Sequence, residues 1–283
     1  MKIFTFLVLL ITAISVNFLS CKDPIPEPPK MTISHTAINV EFKGGSDGSI
    51  DLKVVGGTPP YTFLWSNGSV SEDINGLKAG IYTCTVKDSV WTETYTVTVT
   101  EPEKYEIWKI ATDFGDIYCW LYNETPGHKK NYLKLIREEF FDSLIFHRVI
   151  KNFVVQGGDP TGTGTGGPGY VIPAEIHDSL KHVNGAIGAA RLPDNVNPER
   201  KSSGSQFYIV QNINGTAHLN KFYTVFGIVI SGMNAVETIA QQPVNSSYKP
   251  LTNIYMKKVS IVNYSATELL NLYGFKIPDY NKK

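Results

Sequence analysis

Apolar and polar residues alternate in short runs through the first third of the chain. Residues 50–55, 61–65, 81–86 and 95–99 each carry a period of two, which predicts half-buried strands. Turn clusters separate them: Gly44-Gly45-Ser46-Asp47-Gly48, Gly56-Gly57-Thr58-Pro59-Pro60 and Ser66-Asn67-Gly68-Ser69. That spacing and punctuation predict a small β-sandwich over residues 31–101. Further on, residues 107–112 and 116–121 alternate around Asp113-Phe114-Gly115, the pattern of a β-hairpin. Tyr132, Leu133, Leu135 and Ile136 then take helical spacing within 126–138, and a second short helix is expected over 233–240. The run 148–156 alternates loosely and reads as one half-buried strand. It carries an arginine among large apolar groups, which is costly unless the charge has a task or a partner.

The first 20 residues stand apart. Met1-Lys2, an almost wholly apolar stretch over 3–16, and Phe18-Leu19-Ser20 before Cys21 predict a signal peptide, the apolar run being too short for a membrane span. The small residue before the cysteine resembles a bacterial lipoprotein cleavage site. That resemblance implies lipidation of Cys21 and a protein anchored to a membrane of the bacterial cell envelope, on its periplasmic or cell-surface side. The alternative is a plain secretory peptide cut nearby, leaving Cys21 free. Residues 21–30 hold four prolines and read as an extended tether.

Composition narrows the function classes. At 283 residues there is room for about two domains, and 42% hydrophobic with 18% charged residues describes a folded protein. Lys+Arg and Asp+Glu both number 26, so no basic field points to nucleic acid. Cys84 and Cys119 read as lone buried thiols, and no cysteine pair has zinc spacing. Asp142, Asp159, Glu175 and Asp178 have no metal-ligand spacing either and read as surface charges. Gly162, Gly164 and Gly167 spell G-x-G-x-x-G, but Pro168, Gly169 and Pro173 follow where a dinucleotide site needs a helix. Neither a metal nor a cofactor is expected.

Residues 146–159 read Phe-His-Arg-Val-Ile-Lys-Asn-Phe-Val-Val-Gln-Gly-Gly-Asp and closely resemble the central motif of the cyclophilins, which are peptidyl-prolyl cis-trans isomerases. Further collinear segments are similar to that family: Gly164-Thr165-Gly166-Gly167, Gly185 to Arg191, Ser203-Gly204-Ser205-Gln206-Phe207-Tyr208-Ile209, His218-Leu219-Asn220, and Tyr223 to Gly227. The resemblance implies a mainly β protein: an eight-stranded antiparallel barrel capped by two helices over 103–264, behind the sandwich. A tail over 265–283 could be helical. It also implies catalytic roles for Arg148, Phe153 and Gln156. Substrate contacts fall to Val154, Ala190, Arg191, Gln206, Tyr208, His218, Leu219 and Tyr223.

The expected partners are proline-containing polypeptides. His147 is read as structural, because rotation about an amide moves no obligatory proton. His218 stands where tryptophan is often found, which implies weak cyclosporin binding; Leu192 to Ser202 form a longer loop than usual. Residues 31–101 resemble the PKD-like sandwich repeats of bacterial adhesion and gliding proteins, which implies a spacer or, alternatively, a binding module. The rival reading of the whole is a proline-peptide-binding, chaperone or adhesion lipoprotein with weak turnover.

Overall fold

The computed structural model describes residues 27–279; the leader, Cys21 and most of the proline-rich tether lie outside them. Six strands come first: β1 (Met31–Ile38), β2 (Gly48–Gly56), β3 (Thr62–Trp65), β4 (Ile74–Leu77), β5 (Gly80–Lys87) and β6 (Thr92–Val99). They form two three-stranded antiparallel sheets, β1-β2-β4 and β3-β5-β6. The alternation decides which side is buried. Ile50, Leu52, Trp65, Cys84, Val86, Val97 and Val99 fill the space between the sheets, while the threonines between them face out. The sequence pattern passes over β1 and β4. β4 has only four residues, and its Gly76 lies at φ +67°.

The rest is a barrel. Its elements in chain order are β7 (Tyr105–Thr112), β8 (Gly115–Leu121), α1 (Pro126–Arg137), β9 (Arg148–Ile150), β10 (Val154–Gly157), β11 (Val171–Ile172) and β12 (Ala186–Ala189). There follow β13 (Ser202–Ser203), β14 (Phe207–Val210), β15 (Val225–Ser231), α2 (Met233–Ala240), β16 (Lys258–Tyr264) and α3 (Ala266–Tyr273). Eight strands run antiparallel in the order β16-β7-β8-β15-β12-β14-β10-β9, and β11 pairs with β13 outside them. The sheet closes on itself ahead of β9 and β16. There Ser143 N donates to Met256 O and Met256 N to Leu144 O, both at 2.8 Å, and Phe146 N donates to Ile254 O at 2.9 Å. These bonds join the two ends of the sheet.

Large aromatics fill the barrel end under α1. Tyr132 stacks on Phe226 with ring centroids 4.2 Å apart, and Trp108 meets Phe207 edge-on at 4.7 Å. Pro126 sits in the first turn of α1, where its missing N–H costs nothing. α2 caps the barrel through buried Ala235, Val236, Ile239 and Ala240. α3 is held by a Ser265–Glu268 capping box and ends at Gly274 in the left-handed region. Its Leu269, with Tyr273, Phe275 and Ile277, covers Ile107 and Trp120 on the outer barrel face.

The sandwich is seated on the barrel. Phe42 joins the barrel core, and burying such a ring contributes about 1.5–3 kcal/mol. Lys129, buried on α1, lies 4.9 Å from the Phe42 ring and 5.8 Å from Trp120, and donates to Asn123 Oδ1 at 2.7 Å. Burial pulls its ammonium down to about 8. Among the described residues no helix is long and apolar enough to cross a membrane.

Candidate active site

The run 148–156 is not one strand. It turns back on itself at Lys151-Asn152-Phe153, so β9 and β10 form a tight hairpin in which Arg148 stands opposite Gln156. The reason is local: Asn152 takes φ +59°, which asparagine tolerates better than most residues, and Phe153 N closes the turn on Ile150 O at 3.1 Å. The fold therefore makes a cross-strand pair of two residues eight apart in sequence. Arg148 Nη1 donates to Gln156 Oε1 at 3.1 Å, Gln156 Nε2 donates to Gln206 Oε1 at 3.1 Å, and Gln206 Nε2 donates to Gly164 O at 3.0 Å and Gly166 O at 2.8 Å.

Beside this polar row lies a cavity of about 190 Å³, lined by Arg148, Phe153, Val154, Gln156, Ala190, Arg191, Tyr208, Leu219 and Tyr223. It is smaller than the roughly 300–1,000 Å³ of pockets that hold drug-sized ligands, and suits a single small ring. Buried Val154 and Tyr208 supply apolar surface, and Arg148 stands in the lining beside them. Nine of the eleven residues singled out for catalysis and substrate contact line the cavity. The other two touch its lining residues. Gln206 orients Gln156, and His218 stacks on Phe153 with ring centroids 5.7 Å apart and planes 16° from parallel.

Tyr208 is held from behind by a relay that sequence reasoning missed. Its hydroxyl lies 2.8 Å from His182 Nε2, and His182 Nδ1 lies 2.9 Å from Asn220 Oδ1. That same oxygen accepts the His182 backbone N–H at 2.9 Å. An amide oxygen only accepts, so Nδ1 carries a proton; with the ring neutral, Nε2 accepts and the Tyr208 O–H donates. Burial lowers the His182 pKa accordingly, against the opposing hydrogen bond from Asn220. Gly188 makes room for the phenol: a Cβ there would lie 2.3 Å from Tyr208 Cζ. The one available signal was the tyrosine itself, since a buried phenol needs a partner.

Arg191 completes the rim. Its guanidinium lies 4.5 Å over the Tyr223 ring, donates to Phe222 O and Leu192 O at 2.8 Å each, and pairs with Asp194 at 2.6 Å. Arg200 reaches the same carboxylate at 3.0 Å and Lys221 O at 3.1 Å. The 192–202 loop is thus tied down onto the segment carrying Tyr223. Arg191, then Arg200, holds the Asp194 carboxyl below its usual range.

Of the four acidic residues read as surface charges, Asp178 alone is exposed. Half-buried Glu175 receives the Gly127 and His128 N–H groups at 2.9 Å each, anchoring the positive start of α1. Asp142, also half-buried, accepts Val259 N at 2.8 Å and pairs with Lys258. Asp159 is buried, with 1% of its surface exposed. Isolated acids in a sequence look solvated by default; here Asp142, Asp159 and Glu175 each accept backbone N–H groups once the chain has folded. Among the described residues no group of three or more His, Cys, Asp or Glu could hold a metal ion. Cys84 and Cys119 are buried and free, in β5 and β8. Burial raises the thiol pKa of both.

The barrel is similar to known proteins. Residues 107–261 match the family model described as cyclophilin type peptidyl-prolyl cis-trans isomerase/CLD, and the chain belongs to that family. Peptidyl-prolyl cis-trans isomerase CYP18-1 of Arabidopsis thaliana is 39% identical over 157 residues, spanning 54% of this chain and 93% of the relative. Human peptidyl-prolyl cis-trans isomerase-like 3 is 40% identical over 158 residues, with the same coverage of 54% and 93%. A Cryptosporidium parvum cyclophilin-type isomerase, solved in the presence of the dipeptide Ala-Pro, is similar at 34% identity and a TM-score of 0.50, covering 55% of this chain and 98% of its own. In the sandwich, residues 43–70 match a model described as the SprB repeat.

Proposed function

We propose that the chain accelerates cis-trans isomerisation of X-Pro bonds by donating a hydrogen bond from Arg148 to the prolyl nitrogen as the amide twists. The barrier is the loss of amide resonance, roughly 20 kcal/mol, while the two ground states differ by under about 1 kcal/mol. Twisting restores a lone pair to the nitrogen, so a donor aimed there is worth more in the transition state than in either ground state. The observation that carries this reading is the Arg148–Gln156 register: a guanidinium held by an amide in the lining of a proline-sized cavity. Val154, Phe153, Tyr208, Leu219 and Tyr223 take the proline ring. The Ala190 N–H is already given to Gln206 O at 3.0 Å, so the second lone pair of Ala190 O and the Arg191 backbone hold the peptide.

One charge-assisted hydrogen bond contributes about 1.5–3 kcal/mol, against the roughly 7 kcal/mol that turnover near 10³ per second needs. Desolvation in the cavity and strand positioning supply the rest. The test is Arg148→Ala in the full chain: kcat/KM for an X-Pro peptide should fall about 100-fold with the fold intact, and full activity would end this mechanism. The similar C. parvum structure, described with Ala-Pro present, supports a proline-containing ligand for this site as well.

The substrates are folding proteins of a bacterial envelope, to which Cys21 anchors the chain through lipid. This rests on the leader pattern and on Ser20-Cys21. Cys21→Ser should move the protein from the detergent phase to the aqueous phase in a partition experiment and leave turnover unchanged. Equal partition of the two proteins would remove Cys21 as the anchor.

A further inference from the structure

We infer that Asp159 is a positioning residue for Arg148, acting at a distance through the 161–166 loop and two glutamine side chains. The inference rests on Arg148 being the donor proposed above. Asp159 does not line the cavity. Its Oδ1 accepts Thr161 N at 2.7 Å and Thr161 Oγ1 at 2.8 Å; its Oδ2 accepts Thr163 N at 3.2 Å, Gly164 N at 2.5 Å and Gly166 N at 3.1 Å. One buried carboxylate therefore gathers four backbone N–H groups of the 161–166 loop around itself, as an anion does in a nest of N–H groups. The approach is so close that a Cβ on Gly166 would lie 2.1 Å from Oδ1. Burial pushes the Asp159 pKa up, but the bonds from Thr161, Gly166 and Gly164 outweigh it and hold it at about 2, so the carboxylate is ionised at any working pH.

Wrapping the loop this way aims two carbonyls, Gly164 O and Gly166 O, at one point, and Gln206 Nε2 occupies it. Carbonyls only accept, so the Gln206 amide has one allowed orientation, with Oε1 turned to Gln156. Gln156 must then present Nε2 to that oxygen and Oε1 to Arg148. Each amide fixes the next, and the direction of the whole row is set at the loop. Without the carboxylate the two carbonyls lose their shared aim, and Gln206 can turn over. Gln156 can follow it, putting an NH₂ group where Arg148 needs an acceptor. Gly162 and Gly164, at φ +63° and +93°, give the loop the left-handed backbone that the wrap requires.

A merely structural Asp159 would change stability and leave the turnover of folded protein alone. The experiment is a double-mutant cycle in the full chain with Asp159→Asn and Gln206→Ala, reading kcat, KM and melting temperature with one X-Pro peptide. Asp159→Asn should lower kcat about tenfold and move KM by less than about twofold. In the Gln206→Ala background the same change should cost less than about twofold, because the path is already cut. An unchanged kcat, or losses that multiply in the double variant, would overturn the inference. If Asp159→Asn does not fold, Thr161→Val removes a single donor at nearly constant shape and should show a smaller kcat loss, again absent in the Gln206→Ala background. Arg148→Ala run alongside separates the two readings. Full activity there defeats the donor proposal, whereas a dead Arg148→Ala with a multiplicative cycle defeats only the role of Asp159.

Discussion

The two walls of the proline-sized cavity are built in opposite ways. One wall is the β9–β10 hairpin, which delivers Arg148, Phe153, Val154 and Gln156 from nine consecutive residues and ends in a row of hydrogen-bonding amides. The other is assembled from residues 182–191, 208 and 219–223, three stretches far apart in the chain. Its polar groups are tied to the protein: Tyr208 to His182 and Asn220, and Arg191 to Phe222 O, Leu192 O and Asp194. The first wall presents charge to a bond that changes its electron distribution. The second presents carbon to a ring that does not change at all. Damage to the first should therefore appear in kcat, and damage to the second in KM.

His218 stands at the seam, stacked on Phe153 and adjacent in sequence to Leu219. Cyclosporin should inhibit the wild-type chain weakly, since histidine offers less apolar area than tryptophan and lacks the indole N–H. His218→Trp should restore about two decades of affinity, the worth of a buried hydrogen bond and part of a ring contact. An inhibition titration of both proteins on one peptide checks this; tight inhibition of the wild type would show that the seam does not control the drug contact.

A smaller effect is expected from Gly188→Ala. The added methyl meets Tyr208 and must push the ring toward the cavity, so KM should rise about tenfold with kcat nearly kept. A steady-state comparison with wild type decides it, and a loss confined to kcat would mean that the walls are not separable.

Acid should loosen both sides mildly. Burial is the main cause that holds His147 and His182 below the ordinary histidine value of 6.5. The unfolded chain then binds protons before the folded one does. Stability is unaffected by these groups above about pH 6.5 and declines as pH falls through that value toward the folded-state pKa. Melting temperatures near pH 7.5 and near pH 5.5 should differ by a few degrees, lower in acid. No acid loss, or a shallower slope only after His147 is replaced, would clear the His182 relay of any part in it.

The contrast between the walls also explains what the sequence could show. The hairpin wall is a contiguous motif, so Arg148, Phe153, Val154 and Gln156 were legible as a group, even though the run was read as one strand and Asn152 turns it into two. The sandwich core was legible for a similar reason: Cys84, Val86, Val97 and Val99 follow the period of two. His182, Gly188 and Asn220 were not. Each matters because of an atom brought to it from another segment, and no local pattern encodes that partner. Asp159 was misread for a different reason: its five donors come from the loop that directly follows it, and they converge only once that loop has wrapped around it. Phe42 is a parallel case in the sandwich, an isolated apolar residue whose place in the barrel core depends on how the two domains meet.

The most direct measurement is exchange NMR on one X-Pro peptide titrated into wild type, Arg148→Ala and Gly188→Ala under identical conditions, which reads binding and cis-trans exchange from the same spectra. Arg148→Ala should bind the peptide with an affinity within about threefold of wild type while catalysed exchange falls about 100-fold; Gly188→Ala should bind about tenfold more weakly yet exchange the bound peptide at nearly the wild-type rate. Arg148→Ala that loses affinity but keeps the bound-state exchange rate would contradict the assignment of Arg148 to the twisted amide, and with it the division of labour between the walls.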